Sequence, residues 1–523
     1  MQGNRRRWLG LLFICVSLLI ISLDNTVLNV ALPSISRDLG ATNSELQWIV
    51  DAYILVFAAM LLTMGSVGDR FGRKRALQLG VAWFGVFSLM AALSTSSTML
   101  IVSRALLGVG GATIMPATLS LITASFRDPK ERAQAIAIWA AVFGLGLGIG
   151  PLVSGFLLER YQWHSVFLIN LPVVVVALVG GQIFLDQSKD PNAPPPDFPG
   201  VALSITSLFT LVYAIIEAGV KGWGASNVVA TFGIAAVLLS IFFWWENRAE
   251  HPMLPLYFFR NMSFTGANLA MVMMMFGMFG SVFFLSQFFQ SVQGYTALKA
   301  GVLQFPMSIV IMVSAGMSAR IAMRLGTKVT VGLGFMLAAS GMLYLSEITK
   351  ANTPYGIMFI GLGILGTGMG IAMSPATNSI MGSVPVNKAG IGSAMNDTTR
   401  QIGGAMGVAV LGTIMNNNYL HHVAALRSEI PLQAYDAVSS SIQGAHIAAQ
   451  VGGPAMAHAI IGVANNAFVS GMTEAMFIAA FIMAGASLFT LAILPAEVRC
   501  IEEECKEEPV EAGAGEMVPA PGD

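Results

Sequence analysis

The sequence predicts an all-α polytopic membrane protein of the major two-halves type: fourteen transmembrane helices, six and six, with two more inserted between the halves. Three observations carry this. The 523 residues are 55% hydrophobic and only 11% charged, whereas a soluble domain spends about a quarter of its residues on charge. Apolar runs of about 20 residues, each enough to cross the hydrocarbon core as a helix, recur along nearly the whole chain. Finally, a loop sequence occurs twice. GSVGDRFGRKRALQLG from Gly65 is echoed by GMSARIAMRLGTKVTVGLG from Gly316, with Arg70, Gly72 and Lys74 matching Arg324, Gly326 and Lys328 at one offset.

Helices one to six are expected near 8–32, 46–67, 76–95, 98–122, 134–158 and 164–185, forming an N-terminal half over 1–185. The polar stretch DQSKDPNAPPPDFPG then breaks the pattern, because proline disfavours a continued helix. It leads into inserted helices seven and eight, near 199–219 and 228–245, within a region spanning 186–261. Helices nine to fourteen follow near 264–289, 299–322, 328–347, 356–381, 389–415 and 468–494, as a C-terminal half over 262–495. The long segment 416–467 holds two moderately apolar pieces, AHIAAQVGG and AMAHAIIGVANNAF. A hairpin or short helices on the outer surface are expected there, with a loose loop as the plainer alternative. An acidic tail occupies 496–523.

Lysine and arginine favour cytoplasmic loops. Of the 27 here, only Arg37, Arg160, Lys221, Lys299, Lys350 and Arg427 fall on the alternate segments opposite the N-terminus, and Arg104 and Arg400 lie inside helices. Both termini are therefore expected in the cytoplasm, the chain being a multi-pass protein of the cell membrane. NRRRWLGLLFICVSLLII could pass for a secretory leader, but no small-residue cleavage site follows it. Cys15 lies in helix one, and Cys500 and Cys505 lie in the tail, so neither a disulfide framework nor metal-ligand spacing is present.

Placing an aspartate in mid-membrane costs about 2.5 to 3.5 kcal/mol on insertion scales, so such residues mark pathways and relays. Asp24 in helix one, Asp51 in helix two, Arg104 in helix four, and Asp397 and Arg400 in helix thirteen are of this kind. At about 1.5 Å per residue, Asp24, Asp51 and Arg104 fall in a similar outer layer. A carboxylate that holds either a proton or a cation, but not both, exchanges one for the other. The structural alternative is that Asp24 or Asp51 pairs with Arg104, and Asp397 with Arg400, merely to hold helices. Glu217 and Glu474, near helix ends, read as structural. The glycine-rich SRALLGVGGATIMP of helix four and AVFGLGLGIGPLVSG of helix five allow close packing and bending. The methionine-rich AMVMMMFGMFGSVFFLSQFFQ of helix nine is either core or a soft surface for lipophilic cations. No GK[ST] phosphate loop or HExxH is present, so an ATP-driven pump or metalloenzyme has no support, and an enzyme reading has no residue constellation behind it.

Together these motifs resemble the major facilitator superfamily, and within it the fourteen-helix drug:proton antiporters. GSVGDRFGRKRA is similar to the signature between helices two and three, SRALLGVGGA to the helix-four motif, GLGLGIGPLVSG to the helix-five antiporter motif, and NDTTRQIGGAMGVAVLGT to helix thirteen. LDNTVLNVALP with LQWIVDAY resembles the QacA type, exporters of quaternary ammonium compounds and dyes. The resemblance implies Asp24, Asp51 and Asp397 as coupling or cation-recognition acids and Arg104 as proton relay. It also implies a cytoplasmic gate of Gly65, Asp69, Arg70, Gly72, Arg73 and Lys74, an antiporter strip of Gly146, Gly150, Pro151 and Gly155, and polar Asn396 and Arg400 in helix thirteen. Helix ten has no acid in its membrane portion, unlike some members of this type. The expected function is proton-driven efflux of lipophilic, mainly cationic drugs by a monomer, with no cofactor, metal or nucleic acid, the proton gradient and membrane lipids being its surroundings. The alternative on the same scaffold is a narrow exporter of one antibiotic, lipid or siderophore. A non-pumping membrane scaffold would leave Asp24 and Asp51 without a task.

Overall fold

In the computed structural model, residues 2–189, 195, 197–451 and 454–498 are described. Arg499, Cys500, Cys505, Lys506 and the rest of the acidic tail lie outside them, as does most of the proline-rich linker. The described chain is helical throughout. The long helices are α1 (Gln2–Leu39), α2 (Asn43–Phe71), α3 (Arg73–Ala92), α4 (Ser97–Ser125), α5 (Pro129–Arg160), α6 (Asn170–Phe184), α7 (Phe198–Lys221), α8 (Ser226–Glu246), α9 (Met262–Gln287), α10 (Ala297–Leu325), α11 (Thr327–Ile348), α12 (Tyr355–Gly382) and α13 (Ala389–Val423). Short α14 (Leu432–Ser440) and α15 (Ile442–Val451) precede α16 (Pro454–Ile493), which is the fourteenth long helix.

Local chemistry starts most of these helices where the sequence allows it. Thr42 and Glu45 form a capping box at α2, satisfying two of the orphan N–H groups of its first turn. Ser96, Asp128, Asp197, Asn261 and Thr296 cap α4, α5, α7, α9 and α10 in the same spirit. Ser97 donates to Glu45 at 2.5 Å, tying the starts of α4 and α2 together.

The repeat seen in the sequence is a repeat in space. Gly72 (φ 109°, ψ 125°) and Gly326 (φ 81°, ψ 158°) each end one helix and begin the next, in backbone conformations that only glycine adopts freely. The residue after each makes the same bond: Arg73 N–H donates to Ser188 C=O and Thr327 N–H to Ala496 C=O, both at 2.8 Å. Ser188 and Ala496 sit just beyond the last helix of their respective halves. The face carrying Gly72 is called inner here, and the face carrying Glu45 outer.

Within the halves α2 packs on α4 and α3, and α11 on α12 and α16; between them α5 lies along α10, and α13 against α2 and α4. The inserted pair sits at the side. α7 packs on α2 and α13, while α8 leans on α7 and leaves Val229, Ile234, Val237, Ile241 and Trp244 exposed, a face suited to lipid.

The expected helix thirteen is present as α13, and the short helices expected in 416–467 are present too, with different bounds for the long helices around them. Thirteen helices are long and apolar enough to span by composition alone; α13 is a further one, carrying Asn396, Asp397, Thr398, Thr399 and Arg400, all buried among neighbouring helices. Segment 416–467 is mostly helix. α13 continues through the polar NNNYLHH, and α16 starts at Pro454 rather than near 468, because proline suits the first turn and nothing after it breaks the helix. Between them α14 and α15 bury Val438, Ile442, Ala445 and Ala449, and Tyr419 of α13 donates to Val438 C=O at 2.8 Å.

Gly326→Ala should cost at least as much stability as Gly72→Ala, about 1–3 kcal/mol for the backbone conformation in each case, since the exposed Gln187 side chain can swing away at Gly72 whereas a Cβ at Gly326 would stand 3.1 Å from the Ala496 carbonyl oxygen. Detergent melting temperatures of the two variants would check the order; equal, negligible shifts would refute it.

Candidate transport site

Asp24 and Arg104 form an ion pair at 2.6 Å, Oδ2 to Nη1, with the two residues 4% and 2% exposed. Arg104 also donates from Nε to Ile49 C=O at 3.1 Å and lies over the Tyr53 ring, 4.4 Å from its centre. Three helices thus meet at one guanidinium.

The glycines make that meeting possible. Arg104, Gly108 and Gly111 fall on one face of α4 by their i, i+4, i+7 spacing. A Cβ at Gly108 would stand 2.8 Å from Tyr53 C=O, and one at Gly111 2.9 Å from the Phe57 ring. On α5 the strip is two-sided. Gly146 and Gly150 face Ser22 and Thr26, which flank Asp24 on α1, while Gly144, Gly148 and Gly155 face Ile311, Ser308 and Leu298 of α10, and Pro151 packs on Gly301. The expected antiporter residues Gly146, Gly150, Pro151 and Gly155 therefore serve two seams: one packs α5 on the face of α1 turned away from Asp24, the other joins the halves.

At the inner end Asp69 is bound from both halves. Arg73 pairs with it at 2.7 Å, and the N–H groups of Gly390 and Ile391, at the start of α13, donate to it at 2.8–3.2 Å. A carboxylate suits a helix N-terminus, where free N–H groups and the helix dipole favour negative charge. Arg73 continues across the seam, donating to Val386 C=O at 2.5 Å and Asn387 C=O at 3.0 Å. Gly65 meets Gly390 backbone to backbone. Of the other gate residues, Lys74 donates to Gln182 C=O inside the N-terminal half, and Arg70 lies over the Phe71 ring. In this structure the halves are closed on the inner side.

Asp51 stands apart from the Asp24–Arg104 pair. Ile49 and Tyr53 face α4, and Asp51, two residues from each, is about 200° round the helix. It is half-buried and looks toward α7, in electrostatic reach of Glu217, beside the stacked rings of Trp48 and Tyr213, 6.3 Å apart. Glu217 itself pairs with Lys221.

Asp397 and Arg400 are both buried, at 1% and 4% exposure. No ion pair joins them. Asp397 accepts from Asn396 Nδ2 at 3.1 Å, and Arg400 lies over Phe143 and Trp139 of α5, with its ζ-carbon 3.9 and 5.2 Å from the ring centres. Met271, Met274, Met275 and Met278 of α9 are buried core residues, and among the described residues no acid, histidine or cysteine group could hold a metal. Reasoning from sequence passed over Trp139 and Phe143, whose i, i+4 spacing was the one signal available.

Comparison with known proteins agrees with this architecture. A family model described as the Major Facilitator Superfamily matches residues 14–408. The multidrug efflux pump LfrA of Mycolicibacterium smegmatis is 36% identical over 482 residues, covering 92% of this chain and 95% of that protein. The methyl viologen resistance protein SmvA of Salmonella typhimurium is 33% identical over 503 residues, covering 93% and 97%. Among solved structures, the proton:xylose symporter XylE bound to 6-bromo-6-deoxy-D-glucose superposes with a TM-score of 0.62 over 94% of this chain and 97% of that one; at 12% identity the likeness concerns the fold.

Asp69→Asn should loosen the inner closure, since it removes a charge-assisted set of hydrogen bonds worth about 1.5–3 kcal/mol each. In a background with Cys500 and Cys505 replaced, alkylation of a Ser393→Cys reporter should then speed up roughly tenfold or more. An unchanged rate would mean that Asp69 does not hold the halves together.

Proposed function

The chain belongs to the major facilitator superfamily of membrane transporters, and from that premise we propose that it exports lipophilic, mainly cationic drugs in exchange for protons. One observation carries the reading: a carboxylate, Asp24, buried in the membrane layer and balanced by a single guanidinium, Arg104. A proton arriving at Asp24 removes the charge that Arg104 answers. Arg104 is then left with the Ile49 carbonyl and the Tyr53 ring, so each change of charge on Asp24 alters what joins α1, α2 and α4. A proton on Asp24 and a cationic substrate held elsewhere among the same buried carboxylates each add positive charge to one low-dielectric region, so each disfavours the other, and that competition is antiport. Asp397 supplies a second buried negative charge nearer the inner face, and Asp51 a third by the inserted helix α7.

In this reading both termini face the cytoplasm across the cell membrane, the working unit is a monomer, and the proton gradient is the only energy source. Two named relatives point the same way: one is a multidrug pump, and the other confers resistance to methyl viologen, a flat organic dication. The second name also favours a narrower exporter dedicated to one compound. Substrate range separates the two.

Adding tetraphenylphosphonium to detergent-purified protein in weak buffer should release about one proton per cation bound, as competition at one carboxylate requires. Asp24→Asn should abolish the release, and Asp51→Asn should leave it. Cation binding of equal strength in all three proteins with no proton release would rule exchange at Asp24 out.

A further inference from the structure

Arg400 is a buried cation that, among the described residues, has no carboxylate at ion-pair distance, Asp397 lying only within electrostatic reach. Its Nη1 and Nη2 have no hydrogen-bond partner, and neither does Oδ2 of Asp397, three residues earlier on α13. Its guanidinium crosses the seam between the halves instead and rests on aromatic rings of α5. Trp139 and Phe143 lie one helical turn apart with nearly parallel rings, at 12° and 6.1 Å between centres. Both are buried, and the Trp139 indole is fixed by donating to Thr118 Oγ1 at 3.0 Å. The whole arrangement is held in place before any ligand arrives.

Ring faces with an unpaired carboxylate oxygen nearby form the chemistry that recognises an organic cation. A quaternary ammonium or phosphonium centre has no N–H to donate, so it gains little from a hydrogen-bond acceptor and much from the negative face of an aromatic ring away from water. A guanidinium gains from the same faces, which is where Arg400 is found.

We propose that Trp139 and Phe143 are the platform for the substrate's cationic centre, and that Arg400 occupies this platform in the substrate-free protein as a tethered cation which substrate displaces. The inference rests on the export of lipophilic cations proposed above. Displaced from the rings, Arg400 has Asp397 at i, i−3 on its own helix, within the reach of side chains at that spacing. The exchange therefore leaves each positive charge with a partner. Because the rings belong to α5 and the guanidinium to α13, the tethered cation also lets the two halves close when no substrate is bound.

The test is a double-mutant cycle on equilibrium binding of tetraphenylphosphonium to the full-length protein, using Phe143→Leu, Arg400→Met and the double variant. Arg400→Met should tighten binding by roughly tenfold, the scale of one desolvated cation–π contact. Phe143→Leu alone should change it by less than about threefold, since the ring is lost to both competitors, but should weaken it roughly tenfold in the Arg400→Met background. Arg400→Lys, which keeps a tethered charge, should bind close to wild type and guards against a folding defect in the methionine variant. If Arg400→Met tightens binding equally with and without Phe143, the gain is removal of a repelling charge, and the platform is wrong. If Arg400→Met and Arg400→Lys tighten it equally, or neither variant departs from wild type, displacement is wrong. Absence of binding by every protein, wild type included, would instead overturn the cation-export reading and this inference with it.

Discussion

Inside the hydrocarbon layer a charge must be covered by protein on every side, and helices can cover it only as closely as the residues between them permit. The Asp24–Arg104 pair depends on this constraint most directly. Gly108 and Gly111 bring α4 onto α2 at Tyr53 and Phe57, and Gly146 and Gly150 bring α5 onto the far face of α1 at Ser22 and Thr26. A buried ion pair is weak as a source of stability, because desolvation offsets most of its attraction. Gly108 and Gly111, one and two turns from Arg104, therefore serve to cover a costly charge rather than to gain stability from it.

The inner closure uses the same economy with a different geometry. Gly72 and Gly326 give the two halves one shared turn, down to the bond from the following N–H to Ser188 or Ala496. Yet the chemistry on that turn is asymmetric. At the offset that matches Gly72 to Gly326, Asp69 corresponds to Met323 and Arg73 to Thr327. Only the N-terminal copy carries the charges that reach the other half, so the scaffold repeats while the latch is single.

The number and order of helices were legible because hydrophobic length and loop charge report directly on crossing a membrane. α13 was legible as the run 389–415 and through its motif, although its polar middle lowers its own hydropathy and is tolerated because neighbouring helices cover it. Asp24 and Arg104 could be brought to one layer by counting residues. Depth says nothing about azimuth, however, and Asp51, at the same depth, turned out to face α7 rather than Arg104. The placement of Arg400 on rings of another helix is a tertiary fact, of which the i, i+4 spacing of Trp139 and Phe143 shows only the pairing of the rings and not what rests on them. The short helices expected in the outer segment are α14 and α15, but the ends of α13 and α16 were not legible, because apolar length predicts where a helix leaves the lipid and both continue past that point.

The two charged layers are joined through α5. The Gly65–Gly390 contact fixes the register of α2 against α13, and at about 1.5 Å per residue it puts Asp397 roughly 10 Å outward of the latch and Ile49, which takes Arg104, more than about 20 Å outward. One layer holds a closed pair and the other a separated one. Phe143, which supports Arg400, and Gly146, which packs on Ser22 of α1, lie within one turn of α5, and the opposite face of that turn carries Gly144 and Gly148 against α10. A helix with small residues on both sides can shift against either neighbour with little steric cost, and Pro151 permits it to bend. In the cycle proposed above, a shift of α1 and a change of occupant at the Phe143 ring would act on the same short stretch of helix, at the seam between the halves.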